Sequence, residues 1–188
     1  MIFTELLEKR RSIRNFKDKV VSLETINHII KDSILAPSAG NGQPWEFIIV
    51  NDKEMINRIS AESKKNMLDR IAANPHDFAK KYEKMLQSES FNIFYNAPSV
   101  ILILGNSTLK NLQVDCALAA SYFMLSATSR GLGTCWVNFA LAIQNTEICS
   151  ELGMSENQRI VAPIALGYPE VIPKIPNRKE PKILKVIK

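Results

Sequence analysis

The sequence has few of the residues on which several common kinds of active site depend. Its 188 residues include two histidines, His28 and His76, which lie far apart, and three cysteines without any metal-ligand spacing. The seven glycines form neither a Walker loop nor a glycine-rich fingerprint that follows a strand. These absences argue against a metal centre, a Ser-His-Asp triad and a dinucleotide-binding fingerprint.

Long hydrophobic runs and a strong net charge are missing as well. No run is long or apolar enough for a membrane span, and the charged, amphipathic N-terminus does not read as a signal peptide. The net charge of +5 comes from scattered basic residues, a pattern that favours anionic ligands over nucleic acid. Isolated cysteines fit a reducing compartment. We therefore expect a cytoplasmic protein with neither a nucleic-acid nor a membrane partner.

The composition is that of an ordinary globular protein, with 46% hydrophobic residues. Its length predicts one domain, residues 1–188, with a sizeable core. Residues 62–90 are polar with sparse apolar anchors and are predicted to form a peripheral helical excursion. The aromatic residues in 91–95 are interpreted as packing, with a substrate-pocket wall as the alternative. The proline-rich residues 168–188 are predicted to be an extended tail.

Apolar patterning predicts the main elements of the core. The runs 45–50, 99–104 and 160–166 are predicted strands, the first of them buried on both faces. Pro163 indicates that the last of these strands lies at an edge or carries a bulge. Residues 111–130 predict a long central helix, apolar around most of its circumference and ended by a left-handed Gly131.

A loop from Ala36 to Trp45 separates an amphipathic helical pattern from the first strand. Its prolines and glycines cannot continue either element, and its small polar side chains offer amide groups to a flat ligand with polar edges. An ordinary helix-to-strand turn is the alternative interpretation. The functional interpretation is favoured by a second stretch upstream, Arg10-Arg11-Ser12-Ile13-Arg14.

Five stretches in order resemble those of the nitroreductase family. They are 10–14, 37–45, the alanine-rich helix that contains Asp115, 131–136, and 167–169 together with 176–179. The resemblance implies an α+β fold with a central, mostly antiparallel sheet flanked by helices, and a domain-swapped homodimer. It also implies bound FMN as the cofactor. Residues 62–90 match no part of the pattern.

The resemblance assigns one part of the FMN site to basic residues near the two ends of the chain. Arg10 and Arg178 would bind the phosphate, and Ser12 would bind the phosphate or the ribityl chain. Arg14 would lie near N1 and O2 of the ring and stabilise the reduced anion. Arg11 and Lys179 complete this basic part of the site.

The remaining cofactor contacts are assigned to the loop and to a segment after the long helix. In the family, a backbone amide of the second segment faces flavin N5, and some relatives carry a Glu where this chain has Asn138. Gln43 would either contact the flavin or brace the loop. Cys135 has apolar neighbours and is interpreted as a packing residue. The residues assigned here are Pro37, Ser38, Ala39, Asn41 and Gln43 from the other protomer, and Trp136, Val137 and Asn138.

The activity that the resemblance implies is that of an FMN-dependent oxidoreductase. NADH or NADPH would reduce the flavin, and a small electron-poor acceptor, a nitroaromatic or a quinone, would then take its place in a ping-pong cycle. The flavin carries the chemistry, so no side chain is assigned as catalytic and no metal is expected. Reductive dehalogenation, flavin fragmentation, or flavin storage without efficient turnover remain alternatives.

Overall fold

The computed structural model describes residues 2–188, which form one four-stranded sheet with helices packed on both faces. Short 3-10 turns occupy Ala39–Asn41, Phe78–Tyr82 and Asn138–Ala142. The regular elements, in chain order, are α1 (Phe3–Lys9), α2 (Leu23–Ser33), β1 (Glu46–Val50), α3 (Lys53–Ala73), α4 (Glu83–Gln87), β2 (Ser99–Asn106), α5 (Leu112–Ser129), β3 (Gly133–Trp136), α6 (Thr146–Glu151) and β4 (Gln158–Gly167).

The sheet has the order β1-β2-β4-β3, and every neighbouring pair of strands is antiparallel. The predicted α+β class with a mostly antiparallel sheet is therefore confirmed. Along β2, Ile101 and Ile103 face the layer of α2 and α5, whereas Val100 and Leu102 face the layer of α3 and α6. Both faces are buried, which accounts for the uninterrupted apolar run in this strand.

The expectation that β1 is buried on both faces is wrong, whereas the expectation for Pro163 is confirmed in one of its two forms. β1 is an edge strand with nothing paired to its outer side among the described residues; Val50 at its end is buried, and the three residues before it are only partly buried. β4 is an interior strand despite Pro163. The Pro163 carbonyl accepts a hydrogen bond from the Val137 amide, just beyond the end of β3. The side of Pro163 that lacks an N–H therefore faces the place where β3 stops pairing with β4, so the proline is tolerated. The expected bulge is present two residues away, where Val161 is an extra residue opposite the step from Ile103 to Leu104.

Helix α5 is the central helix that the sequence predicts. It packs against β4 and α2 and ends at Gly131, whose φ of 74° requires the left-handed conformation that glycine tolerates. One stripe of α5 remains uncovered in the single chain, formed by Val114, Leu118 and Tyr122 at four-residue spacing. An apolar stripe of this kind is unusual on a surface that stays in water.

The middle of the chain is more continuous than its polar composition suggests. α3 runs without a break from Lys53 to Ala73, so residue 62 lies inside a helix. Its second half joins the following segment in a small separate core that contains Met67, Ile71 and Leu86. No helix within residues 2–188 has the length and apolar character needed to cross a bilayer.

The C-terminal tail pairs with the N-terminal segment only at its start. Pro169 forms an isolated bridge with Phe16, and the Glu170 amide donates to the Asn15 carbonyl. Residues 170–188 are exposed and form no regular secondary structure, as the sequence predicts for this tail.

Candidate functional site

The Arg10–Arg14 segment is extended and lies beside β3. Ser12 pairs with Thr134, and the Ile13 amide donates to the Thr134 carbonyl at 2.9 Å. A β-carbon on Gly133 would stand 2.5 Å from Cγ1 of Ile13, so the close approach depends on glycine at this position. In an extended segment alternate side chains point to opposite sides.

Arg10 lies close enough to Arg11 and Arg178 for their positive charges to interact. Partial burial lowers the pKa of Arg10, and the positive charges of Arg11 and Arg178 lower it further. No carboxylate in residues 2–188 lies within ion-pair distance of Arg10, Arg14 or Arg178. Cations that repel one another in this way are suited to bind an anion from outside the chain.

Arg11 is placed differently from its neighbours. Its side chain is 9% exposed, donates to the Arg10 carbonyl and lines a cavity of about 600 Å³. The same cavity is bounded by Thr128 at the end of α5 and by Ile172 in the tail. Lys179 is exposed next to Arg178. The flavin-binding roles of Arg11 and Lys179 therefore stay predictions.

The segment after α5 combines a protonated thiol with unpaired polar atoms. Burial raises the pKa of Cys135, and the charges of Arg14 and Arg10 only partly oppose this, which agrees with a packing role and with an uncharged thiol. Within the described chain, Oγ1 of Thr134 and Nε1 of Trp136 are buried without a hydrogen-bond partner. Buried polar atoms without a partner are uncommon in folded proteins.

Two backbone amides remain candidates for the predicted contact with flavin N5. The Val137 amide already donates to the Pro163 carbonyl at 2.8 Å, so it is not free for a ligand. Trp136 and Asn138 flank it, and Asn138 begins a 3-10 turn, where the first amides have no partner within the turn.

The Pro37–Gln43 loop is hydrogen-bonded within itself and to the start of α5. The Ala39 amide donates to Oδ1 of Asp115 at 3.0 Å, and Ser38 Oγ accepts from the Gln43 amide at 3.0 Å. Gln43 also donates to the side-chain oxygen of Asn41 at 3.2 Å, so it braces the loop from within. Asn41 and Gln43 both have positive φ, which is unfavourable for side-chain-bearing residues.

The structure does not join the two predicted parts of the site within one chain. The loop is fastened at the first turn of α5 by the bond from the Ala39 amide to Asp115. The Arg10–Arg14 segment pairs with β3, which follows α5. No side-chain hydrogen bond within residues 2–188 links the loop residues Pro37, Ser38, Ala39 and Asn41 to Arg14.

Sequence reasoning missed one residue at the site. Nε of Arg14 donates to the Tyr95 hydroxyl at 3.3 Å, and the guanidinium carbon lies 5.7 Å from the centre of the Tyr95 ring. The two residues are 81 positions apart, and no periodic pattern links them. The aromatic cluster around Tyr95 was the available signal.

Comparison with known proteins identifies the family. The profile described as Nitroreductase family matches residues 7–168. The chain belongs to the nitroreductase family. Its N-terminal arginines, its β3 segment and its loop all lie within the matched residues.

Individual nitroreductase relatives agree with this assignment. A protein of Archaeoglobus fulgidus that carries the name NADH dehydrogenase/NAD(P)H nitroreductase is 30% identical over 88% of this chain and 84% of its own length. The crystal structure of a Bacteroides fragilis nitroreductase with bound FMN superposes with a TM-score of 0.83 at 25% identity, covering 97% of both chains. The iodotyrosine deiodinase of Thermotoga neapolitana is 26% identical over 69% of this chain and 70% of its own.

Proposed function

We propose that the protein is an FMN-dependent oxidoreductase that takes electrons from NADH or NADPH and passes them to a small electron-poor acceptor, a nitroaromatic or a quinone. The observation that carries the proposal is that Arg10, with Arg11 and Arg178 beside it, and Arg14 further along the same extended segment have no acidic partner within residues 2–188. The names of the relatives and the FMN in the Bacteroides fragilis structure support the same cofactor and donor.

These arginines fit FMN in both charge and chemistry. FMN carries a phosphate dianion, and its ring gains negative charge on reduction. Arg10 and Arg178 suit the phosphate because guanidinium groups bind it bidentately. Arg14 suits the ring edge near N1 and O2, because a cation there stabilises the charge that the ring gains on reduction. When bound, the flavin supplies the redox chemistry, and these residues hold it and set its potential.

A second copy of the chain supplies the rest of the proposed site. The loop that carries Ser38 and Asn41 makes no side-chain hydrogen bond to Arg14 within residues 2–188, and in this proposal it serves the flavin of its partner. The α5 stripe of Val114, Leu118 and Tyr122 is an apolar surface that this homodimer would cover.

The donor and the acceptor are proposed to use one place in turn. The chain has no glycine-rich fingerprint with which to retain a nicotinamide nucleotide. A donor that binds briefly over the flavin and then leaves makes room for the acceptor, which predicts ping-pong kinetics.

One relative favours a second candidate activity. The similarity to an iodotyrosine deiodinase supports reductive dehalogenation on the same fold. The segment 62–96, which reaches Arg14 through Tyr95, is where the choice between acceptors would be made. Flavin storage without turnover stays an alternative without a specific observation in its favour.

Anaerobic reduction tests the proposal. The purified protein is mixed with excess FMN, freed of unbound flavin and titrated with NADH and, separately, NADPH. We expect the flavin to bleach with at least one donor and to recover its colour on addition of a nitroaromatic or a quinone. Recovery with an iodophenol alone would favour the dehalogenase. Bound flavin that neither donor reduces would overturn the oxidoreductase proposal, and failure to bind FMN would overturn the cofactor assignment.

A further inference from the structure

Tyr95 is held in an unfavourable backbone conformation. Its φ is 58°, and that of the next residue, Asn96, is 56°. Positive φ is rare outside glycine, and for a bulky aromatic residue it is a true outlier. Strain of this kind persists only where surrounding contacts enforce it, and it concentrates at functional sites.

One face of α3 enforces the conformation of the segment that carries Tyr95. Asn57 accepts from the side-chain amide of Asn92 at 2.9 Å, and Ser60 Oγ accepts from the Ile93 amide at 3.0 Å. One turn further along α3, the Lys64 ammonium donates to the carbonyls of the segment at positions 88 and 91, at 2.6 and 3.0 Å. Spacings of three and four residues place these three side chains in one row.

The contact between Arg14 and the Tyr95 side chain uses only part of the Arg14 guanidinium group. Arg14 uses Nε for the hydrogen bond to the Tyr95 hydroxyl, which leaves both terminal nitrogens free to point elsewhere. Partial burial lowers the pKa of Arg14, but the hydrogen bond that Arg14 donates to Tyr95 and the nearby groups outweigh it, so the net pKa is raised and the cation is kept. Tyr95 is only half-buried, whereas its neighbour Phe94 is fully buried, so core packing does not require the hydroxyl.

We propose that Tyr95 is a positioning residue that fixes the Arg14 guanidinium toward the flavin ring and thereby raises the reduction potential of the bound flavin. This inference rests on the proposed function, because it takes Arg14 as the cation near N1 and O2. A guanidinium that rotates freely in solvent stabilises the reduced ring less than one that is held in place. The segment that carries Tyr95 thus sets the potential through one hydrogen bond.

The test is the midpoint potential of bound FMN in the Tyr95→Phe variant, measured by redox titration of the full chain. Loss of one hydrogen bond that positions a charge should lower the equilibrium constant for flavin reduction about threefold. For a two-electron couple this corresponds to a fall of about 15 mV. Tyr82→Phe is the matched control, because it removes a hydroxyl from a tyrosine whose ring packs edge to face against Phe139 and which has no hydrogen bond to Arg14 within residues 2–188. The control should leave the potential unchanged.

A double substitution shows whether the effect passes through Arg14. Arg14→Ala alone should lower the potential further than Tyr95→Phe, and adding Tyr95→Phe to it should cause no further fall. The inference would be overturned by an unchanged potential in Tyr95→Phe, or if Tyr95→Phe lowered the potential as much in the Arg14→Ala background as in the wild type. The proposed function would still stand in either case, provided that the flavin is bound and reducible. An unchanged potential in Arg14→Ala would overturn the inference too. A wild-type chain that binds no FMN would overturn both proposals.

Discussion

Arg10 and Arg14 lie on one extended segment but are expected to act on different parts of FMN. Arg14→Ala should leave FMN bound and lower its potential, because a cation near N1 and O2 stabilises the reduced anion. A contact with a charged group contributes about 1–3 kcal/mol, and since ~1.4 kcal/mol equals ~30 mV for two electrons, a fall of some tens of millivolts is expected. Arg10→Ala should instead weaken FMN binding. Flavin titration and redox titration of both variants, with Lys65→Ala as an exposed control, separate the roles, and identical behaviour of the two would contradict them.

The thiol of Cys116, in the core beneath the sheet, should affect the stability of the fold at high pH. Burial is the main cause that raises its pKa from 9.0 to about 12. The folded chain therefore keeps the neutral thiol where the unfolded chain ionises, so this stabilising contribution is complete below pH 9 and is lost as the pH rises toward 12. The free energy of unfolding of the wild type should fall more steeply above pH 9 than that of Cys116→Ala. The difference should be at most about 1.4 kcal/mol per pH unit. Urea denaturation across this range measures it, and parallel curves would be the contrary result.

At the scale of elements, the contact between β3 and the N-terminal segment depends on Gly133. Gly133→Ala would place a β-carbon against Ile13 and push the Arg10–Arg14 segment away. Overpacking costs about 1–3 kcal/mol of stability, and FMN affinity should fall with it. Gly153→Ala is the control. It places a β-carbon on a residue whose φ is already positive, which is strained, but in open space and away from this contact. Flavin binding equal to wild type in Gly133→Ala would show that the contact does not position the arginines.

The elements that the sequence predicts well are those whose cause is local. The buried run of β2, the glycine at the end of α5 and the loop from Pro37 all follow from residues that are neighbours in the chain. The errors concern pairing over long distances. Pro163 lies in an interior strand because β3, which precedes β4 in the chain, pairs with the outer side of β4. β3 ends at the place where the proline lacks its N–H donor. The contact between Arg14 and Tyr95 depends on α3 and a strained turn, and nothing in the spacing of the two residues signals it.

A complete flavin site of the proposed kind needs two chains of the whole molecule. The exposed stripe on α5 and the tail residues Ile183, Leu184 and Ile187 leave apolar surface in water, which a second chain would cover. Obligate interfaces bury about 2,000–5,000 Å², and such subunits often have no stable monomer. Removing residues 168–188 should cost both the dimer and the flavin, because it deletes the tail together with Arg178.

Sedimentation velocity of the FMN-loaded full chain, followed by protein and flavin absorbance over a dilution series, tests this requirement most directly. We expect flavin absorbance to sediment only with the dimer and any monomer released on dilution to be colourless. The chain that ends at residue 167 should show neither dimer nor flavin. A full-length monomer that sediments with its flavin would contradict the shared site.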